Sequence, residues 1–216
     1  MKLLAIDCAS SMLSVAVSNG DSIYYSQIES EMKQSEFIME CIDNQMKEAA
    51  LNPNEINGVL CMGGPGSFTG LRIGYSIAKG LALSLSIPFA PVPTLDCIAY
   101  GNTDVNITLA VTGARKLSYF YSFFRNAERI TGDSEADCAE IIKEIEQYTE
   151  NIVLTGPNSA SLYESLPLNL KNKIIPKLEN RGYAKELIYI AKEKKILEND
   201  CTIYLNSGPE YIRDSI

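Results

Sequence analysis

The order of apolar and polar residues predicts a first half that begins with strands and then alternates helix and strand. Five apolar runs predict strands: 3–7, 13–18, 21–30, 56–63 and 89–92. Asn19-Gly20-Asp21, between the second and third runs, is typical of a hairpin turn. Helices are predicted at Lys33–Leu51, which ends before Asn52-Pro53, and at Ser67–Leu85.

The second half repeats this order. Further strands are predicted at 106–112, 118–124, 152–155 and 201–205, and further helices at 133–148 and 183–195. Alternating elements favour an α/β fold with mixed sheets flanked by helices. We therefore predict two lobes, 1–101 and 102–216, with a boundary near Gly101-Asn102-Thr103-Asp104.

The helix at 33–51 has apolar residues around an unusually large part of its circumference. At 100° per residue they span roughly 220°, whereas a helix packed on one side usually shows an apolar stripe of about 100°. Met32, Met39 and Met46 recur at heptad spacing, and methionine suits adaptable surfaces. Two interpretations remain open: burial on all sides within this chain, or one face on the core and another on a partner.

The helix at 67–85 contains a row of small residues four positions apart: Gly66, Gly70, Gly74, Ala78, Ala82 and Ser86. Such a row lets another backbone approach closely. Each interior glycine costs about 1 kcal/mol of helix propensity, so close approach must compensate. The approaching element is either this chain's own sheet or the helix of a partner.

Two segments could hold a phosphate. Asp7, Ser10 and Ser11 lie in the turn after the first strand, and Gly64, Gly66 and Ser67 lie between a strand and a helix. Backbone N–H groups at a helix start attract anions. The alternative is that these side chains satisfy turn backbone groups. The loop lacks the Lys-Ser or Lys-Thr pair of a Walker motif.

Composition excludes several classes of function. The 216 residues carry a net charge of −8 and no histidine, which removes the usual general base and the commonest metal ligand. An acidic chain gains nothing from counterion release on nucleic acid. The six cysteines form no CxxC pair, so no zinc or redox dithiol site is indicated. The apolar run 71–87 contains Arg72 and Lys79, which favours a buried helix over a membrane span. We expect a cytoplasmic protein with no metal site, no leader and no membrane span.

Three motifs resemble the TsaB (also called YeaZ) family. They are Leu4-Ala5-Ile6-Asp7, the run from Gly64-Pro65-Gly66-Ser67-Phe68-Thr69-Gly70 to Leu71-Arg72-Ile73-Gly74, and Ala78-Lys79-Gly80-Leu81-Ala82. The closing segment Pro209-Glu210-Tyr211-Ile212-Arg213 is similar as well. The resemblance implies the two-lobed actin-like ATPase and sugar kinase (ASKHA) fold.

The resemblance also implies a function. Family members are non-catalytic scaffold subunits that bind the catalytic subunit TsaD, which the ATPase TsaE joins. The complex forms N6-threonylcarbamoyladenosine at position 37 of tRNAs that read codons beginning with A. The resemblance further implies that this chain has no catalytic residue or cofactor of its own. It also implies that ATP or ADP binds at the interface of the complex, that tRNA is contacted only through the complex, and that the isolated chain forms a homodimer.

The implied partner interface lies on the two first-lobe helices. The expected contacts are Met32, Ser35, Met39, Ile42, Met46, Gly66, Thr69, Gly70, Gly74, Ala78 and Ala82. Many relatives have histidine where this chain has Gln34, and aspartate where it has Gly113, which weakens any nucleotide site of its own. The remaining alternative is an independent small kinase or ATPase of the superfamily, using Asp7 and the glycine-rich loop.

Overall fold

The computed structural model describes residues 1–30, 33–102, 107–115 and 117–212. The strands within these ranges form two mixed sheets. The first contains β1 (Leu3–Asp7), β2 (Met12–Asn19), β3 (Ser22–Glu29), β4 (Gly58–Met62) and β5 (Phe89–Val92). The second contains β6 (Ile107–Gly113), β7 (Ser118–Arg125), β8 (Glu128–Arg129), β9 (Ser134–Asp137), β10 (Ile152–Thr155) and β11 (Ile174–Lys177).

Helices follow the strands along the chain. They are α1 (Gln34–Glu48), α2 (Phe68–Leu85), α3 (Thr94–Ala99), α4 (Cys138–Glu146), α5 (Ser159–Ser165), α6 (Leu168–Lys171), α7 (Ala184–Glu193) and α8 (Thr202–Leu205). Single 3-10 turns lie at Pro53–Glu55 and Ile196–Glu198. No helix within the described ranges is long and apolar enough to cross a bilayer.

The first sheet has the strand order β3-β2-β1-β4-β5. β1, β2 and β3 are antiparallel neighbours, whereas β1, β4 and β5 run parallel. The predicted hairpin turn joins β2 and β3, and Gly20 adopts the positive φ of 64° that such a turn requires. All five residues of β1 are buried, because helices cover both faces of this sheet.

The second sheet has the order β11-β10-β6-β7-β8, and β9 also pairs with β7. Its core contains Leu109, Phe123, Ile141 and Leu154, all fully buried. Where one helix was expected at 133–148, the first residues form β9 and α4 begins only at Cys138. Asp137 caps this helix by accepting a hydrogen bond from the Glu140 N–H at 2.9 Å.

The division of the chain differs from the expected lobes 1–101 and 102–216. One compact unit consists of Met1–Thr94 and Gly182–Glu210, and the second is built around Leu95–Arg181. The expected second lobe is therefore wrong from Gly182 onward, because α7 buries Leu187 and Ile188 against β1, β2 and β4. The expected boundary also falls too late, and its Thr103 and Asp104 lie outside the described residues.

The expected extended segment at Cys201–Leu205 is wrong as well, because Thr202–Leu205 forms the short helix α8 beside β5. Its last carbonyl groups are held from outside the helix. Lys79 Nζ donates to the carbonyl oxygen of Leu205 at 3.0 Å and to that of Ser207. A four-residue helix depends on such tertiary contacts, since isolated short helices are unstable.

Candidate functional site

The two helices expected to meet a partner lie side by side on one face of the first sheet. Their inner residues share a core with alternate residues of β1, β2 and β4, and α1 contacts α2. α7 covers the opposite face of the sheet. The outer sides of α1 and α2 are therefore the part of this unit where a helical partner surface could lie.

The inner side of α1 takes up part of the wide apolar arc. Ile42 and Met46 are each only 6% exposed, so these two expected contacts belong to the core. Ser35 is exposed, and Met39 is 52% exposed. The remaining expected contact on this segment, Met32, lies outside the described residues.

The small-residue row of α2 faces this chain's own sheet. Gly70, Gly74, Ala78 and Ala82 are all buried. A Cβ at Gly70 would lie 2.0 Å from the Cys8 carbonyl oxygen, and one at Gly74 would lie 3.7 Å from the Cys8 side chain. The interpretation of this row as a partner groove is thus wrong, and larger residues here are expected to destabilise the fold itself.

A different set of apolar side chains remains partly exposed between the helices. Ile73, Ile77 and Leu81 follow one another on α2, and Cys41 on α1 is likewise partly buried against the core. Phe37, one turn before Cys41, is 36% exposed. We call Phe37, Cys41, Ile73, Ile77 and Leu81 the helix groove. The sequence had signalled it through the width of the apolar arc on α1.

The start of α2 carries further exposed residues. Phe68 is 51% exposed, and the Arg72 guanidinium stacks 3.7 Å from its ring centre. Thr69, one of the expected contacts, is exposed as well. An aromatic ring and an arginine on the surface are residue types enriched at protein interfaces.

The glycine-rich loop packs against the turn between β1 and β2. Ser67 N–H donates to the Ala9 carbonyl oxygen at 2.8 Å, and Ser67 Oγ caps α2 by accepting from Gly70 N–H at 3.2 Å. A Cβ at Gly66 would lie 2.6 Å from the same Ala9 oxygen. Gly66 and Gly70 are therefore explained by contact with this chain's own backbone.

The closing segment lies over the start of the same loop. Glu210 N–H donates to the Gly63 carbonyl oxygen at 2.8 Å. Gly64 has a φ of 109°, and a Cβ there would lie 2.3 Å from the Glu210 carbonyl oxygen. Backbone thus occupies the space above Gly64 that a phosphate would need. Arg213, the last residue of the closing motif, lies outside the described residues.

Asp7 is buried at the carboxyl end of β1 and joins three segments. Oδ1 accepts a hydrogen bond from Ala9 N–H at 2.9 Å, and Oδ2 accepts from Tyr183 N–H at 2.8 Å and from the Ser14 hydroxyl at 3.4 Å. Ser14 Oγ in turn accepts from Ala184 N–H at 3.1 Å. Asp7 therefore anchors the N-terminus of α7, where an anionic group is favourable.

Burial dominates the electrostatics of this carboxyl group. The pKa of Asp7 is raised to about 6: burial raises it most, the three hydrogen bonds oppose the shift, and nearby Glu186 adds a smaller increase. Ser10 uses its Oγ to accept from Met12 N–H at 3.2 Å, and Ser11 is exposed. The expected phosphate-site residues thus lie near one another, but they satisfy turn and helix backbone groups.

The two departures from the family pattern each have a structural partner. Gln34 is only 3% exposed, and its Nε2 donates to the Ser10 carbonyl oxygen at 3.1 Å. Gly113 N–H donates to Asn158 Oδ1 at 2.7 Å, and a Cβ at Gly113 would lie 2.9 Å from that oxygen. Sequence reasoning missed Asn158, because nothing in its local pattern sets it apart from a turn residue.

The cysteines behave as small apolar residues. Cys8 and Cys61 are buried, and burial raises the pKa of both thiols, which keeps them neutral. Within the described ranges, no group of three or more Cys, Asp or Glu side chains is arranged to hold a metal ion.

Comparison with known proteins places the chain in a family. The sequence model of the family described as "TsaD: tRNA N6-adenosine threonylcarbamoyltransferase" matches residues 25–195. The tRNA threonylcarbamoyladenosine biosynthesis protein TsaB of Bacillus subtilis is 23% identical over 99% of this chain and 94% of its own length. TsaB of Haemophilus influenzae is 26% identical over 100% of this chain and 95% of its own length.

The chain belongs to this family, within its TsaB (YeaZ) branch.

Solved structures of TsaB-family proteins confirm the fold. YeaZ from Pseudomonas aeruginosa superposes with a TM-score of 0.76 at 19% identity, covering 98% of this chain and 99% of that one. A Pseudomonas aeruginosa protein described as similar to peptidase YEAZ gives a TM-score of 0.80 at 18% identity, with the same coverage. The predicted α/β fold of the ASKHA class, with mixed sheets flanked by helices, is confirmed for this TsaB-family chain.

Proposed function

We propose that this chain is a non-catalytic subunit in the formation of threonylcarbamoyladenosine in tRNA, and that its helix groove binds the catalytic subunit TsaD. The observation that carries the proposal is the partly exposed apolar groove on α1 and α2. The biosynthetic role given in the names of its TsaB relatives supports it. Apolar side chains left partly exposed on adjacent helices favour a helical partner surface.

The alternative of an independent kinase or ATPase would require Asp7 to face a nucleotide and its magnesium ion. Asp7 is instead 2% exposed, and both of its oxygens accept hydrogen bonds from this chain. Gly64 is covered by the closing segment. These contacts favour the scaffold over the enzyme.

Further parts of the proposal follow from the family resemblance. TsaE joins the pair, ATP or ADP binds only at the interface of the assembled complex, and tRNA is reached through the complex in the cytoplasm. Without TsaD, two copies of the chain use the helix groove to form a homodimer. The net charge of −8 supports an indirect route to tRNA, because phosphate contacts need basic side chains.

The test measures binding of the purified chain to its cognate TsaD by isothermal titration calorimetry. Ile77→Glu places a charge in the groove and is expected to weaken binding by about 2 kcal/mol, or about 30-fold. Leu168→Glu is the matched control, since Leu168 is 82% exposed in the second unit. Wild-type affinity for Ile77→Glu, or equal losses for both variants, would contradict the groove as the binding site.

A further inference from the structure

Gly80 is the one glycine of α2 whose presence is not explained by contacts within the chain. Gly70 and Gly74 lie against Cys8, whereas no atom of the described residues lies within 4 Å of the position that a Cβ at Gly80 would take. Gly80 is exposed and lies inside the helix, where glycine is less stable than alanine. A local cost of this kind, with no gain inside the fold, is expected at functional positions.

Gly80 completes a hole on the outer side of α2. Residues three and four positions apart are neighbours on a helix surface, so Ile73, Ser76, Ile77 and Gly80 form a closed diamond. In packed helices, a side chain of one helix inserts into such a set of four residues on the facing helix. We call these four residues the α2 hole. The hole shares its two isoleucines with the helix groove and extends the groove outward.

We propose that the α2 hole receives one large apolar side chain from a helix of the partner, and that Gly80 gives the hole the depth that this side chain needs. The inference rests on the function proposed above, in which the partner is TsaD. It adds the point of contact on α2 and the chemistry of the group that binds there.

The lining of the α2 hole selects an apolar occupant. Its two isoleucines are partly buried against the core and form the inner wall, and its serine and glycine are exposed and form the outer wall. Lys79, next to Gly80 in the chain, is held on another side of the helix, where its Nζ donates to the Leu205 carbonyl oxygen at 3.0 Å. The four lining residues carry no charge, so a charged side chain buried there would lack a partner.

The size of the residue at position 80 determines how far the occupant can enter. Helices pack with their axes about 8–10 Å apart, and small residues at the contact allow a closer approach. An alanine at position 80 would take up part of the hole, and a leucine would fill it. Because a Cβ there meets no neighbour in the described chain, the isolated protein should accommodate both.

A size series at position 80 tests the hole by isothermal titration calorimetry with the cognate TsaD. Gly80→Ala is expected to bind about fivefold more weakly than the wild type, and Gly80→Leu about 30-fold more weakly, because each side chain overpacks the contact. Ala139→Leu is the matched control, since Ala139 is exposed on α4 of the second unit. The control is expected to bind with wild-type affinity.

Urea unfolding of the same variants separates binding from folding. Gly80→Ala is expected to be at least as stable as the wild type although it binds more weakly, because alanine is the better helix former. A loss of stability in parallel with the loss of binding would indicate a defect in the fold and overturn the proposal. A Gly80→Leu variant with wild-type affinity for TsaD would overturn it too.

A double variant tests whether a single side chain occupies the hole. Ser76→Leu fills the hole from the neighbouring position, so it excludes the same group as Gly80→Leu. The double variant is therefore expected to bind no more than about threefold more weakly than the weaker-binding single variant, since the two effects are not independent. Losses that multiply would indicate two separate contacts, and the single occupant would be ruled out.

The groove variant distinguishes a failure of this inference from a failure of the proposed function. If Ile77→Glu weakens binding and Gly80→Leu does not, the groove still binds TsaD and only the α2 hole is overturned. If both variants bind with wild-type affinity, the proposed function is contradicted together with the hole.

Discussion

The ionisation of Asp7 predicts a pH dependence of stability that can be measured against a single variant. Its carboxyl group is 2% exposed and has a pKa of about 6, against 3.8 for the free side chain. A carboxyl group with a raised pKa binds protons more tightly in the folded state than in the unfolded state. Its contribution to stability is therefore greatest at low pH and is lost as the pH rises from about 4 to about 6.

The expected magnitude follows from the two pKa values. The full difference of about two pKa units corresponds to about 3 kcal/mol. Between pH 5 and pH 7 the change for this single group is about 1.3 kcal/mol. The free energy of unfolding of the wild type, relative to Asp7→Asn, should fall by that amount over this interval.

Asp7→Asn also loses an acceptor for Ala9 N–H or Tyr183 N–H, because an amide has only one carbonyl oxygen. This loss does not titrate, so it shifts the variant by a constant amount at every pH. The pH dependence of the difference between the two proteins therefore isolates the ionisation.

The assay is urea unfolding at several pH values, followed by far-UV circular dichroism because the chain contains no tryptophan. A difference between wild type and Asp7→Asn that is constant from pH 5 to pH 7 would refute the reasoning. So would a wild type that gains stability over the variant as the pH rises.

Two further predictions concern single contacts. Gly70→Ala should destabilise the chain by about 2–3 kcal/mol, because the new Cβ would overlap the Cys8 carbonyl oxygen. Gly80→Ala should stabilise α2 by about 1 kcal/mol, because Gly80 has open space around it. Urea unfolding of both variants checks this pair, and equal effects would contradict the inward orientation of the small-residue row. Asn158→Ala removes the acceptor of Gly113 N–H and should cost about 1 kcal/mol, measured by the same method; an unchanged midpoint would show that water replaces the amide.

The sequence predicts elements well where local signals coincide. The hairpin around Gly20 combines turn residues with flanking alternation, and α2 combines the Ser67 cap with apolar periodicity. The short helix α8 was missed because a four-residue segment has too little periodicity to distinguish helix from strand. The unit boundary was missed because the packing of α7 on β1 is a long-range contact that no local pattern records.

The candidate site shows even more clearly that a local sequence pattern does not record long-range contacts. A row of small residues has the same spacing whether its own sheet or another protein approaches it, so Gly74 and Ala78 could not be assigned to either from sequence. The sequence alone indicates a free acid at a strand end for Asp7. In the structure, its hydrogen-bond partner Tyr183 lies 176 positions later in the chain. The wide apolar arc of α1 corresponds in the structure to Phe37 and Cys41, which are left partly exposed beside the core, and its use by a partner stays a prediction.

These contacts explain why the glycine-rich loop of this chain does not require a ligand. A phosphate at a strand end would be held by backbone N–H groups and the start of a helix. In this chain, other parts of its own backbone occupy the same strand ends. The N-terminus of α7 lies at Asp7, and the closing segment lies at Gly64. Polar groups that are satisfied internally gain little from a ligand, since binding must first break those hydrogen bonds. The surface that still gains from contact is the helix groove, which is the physical reason for proposing a role in assembly.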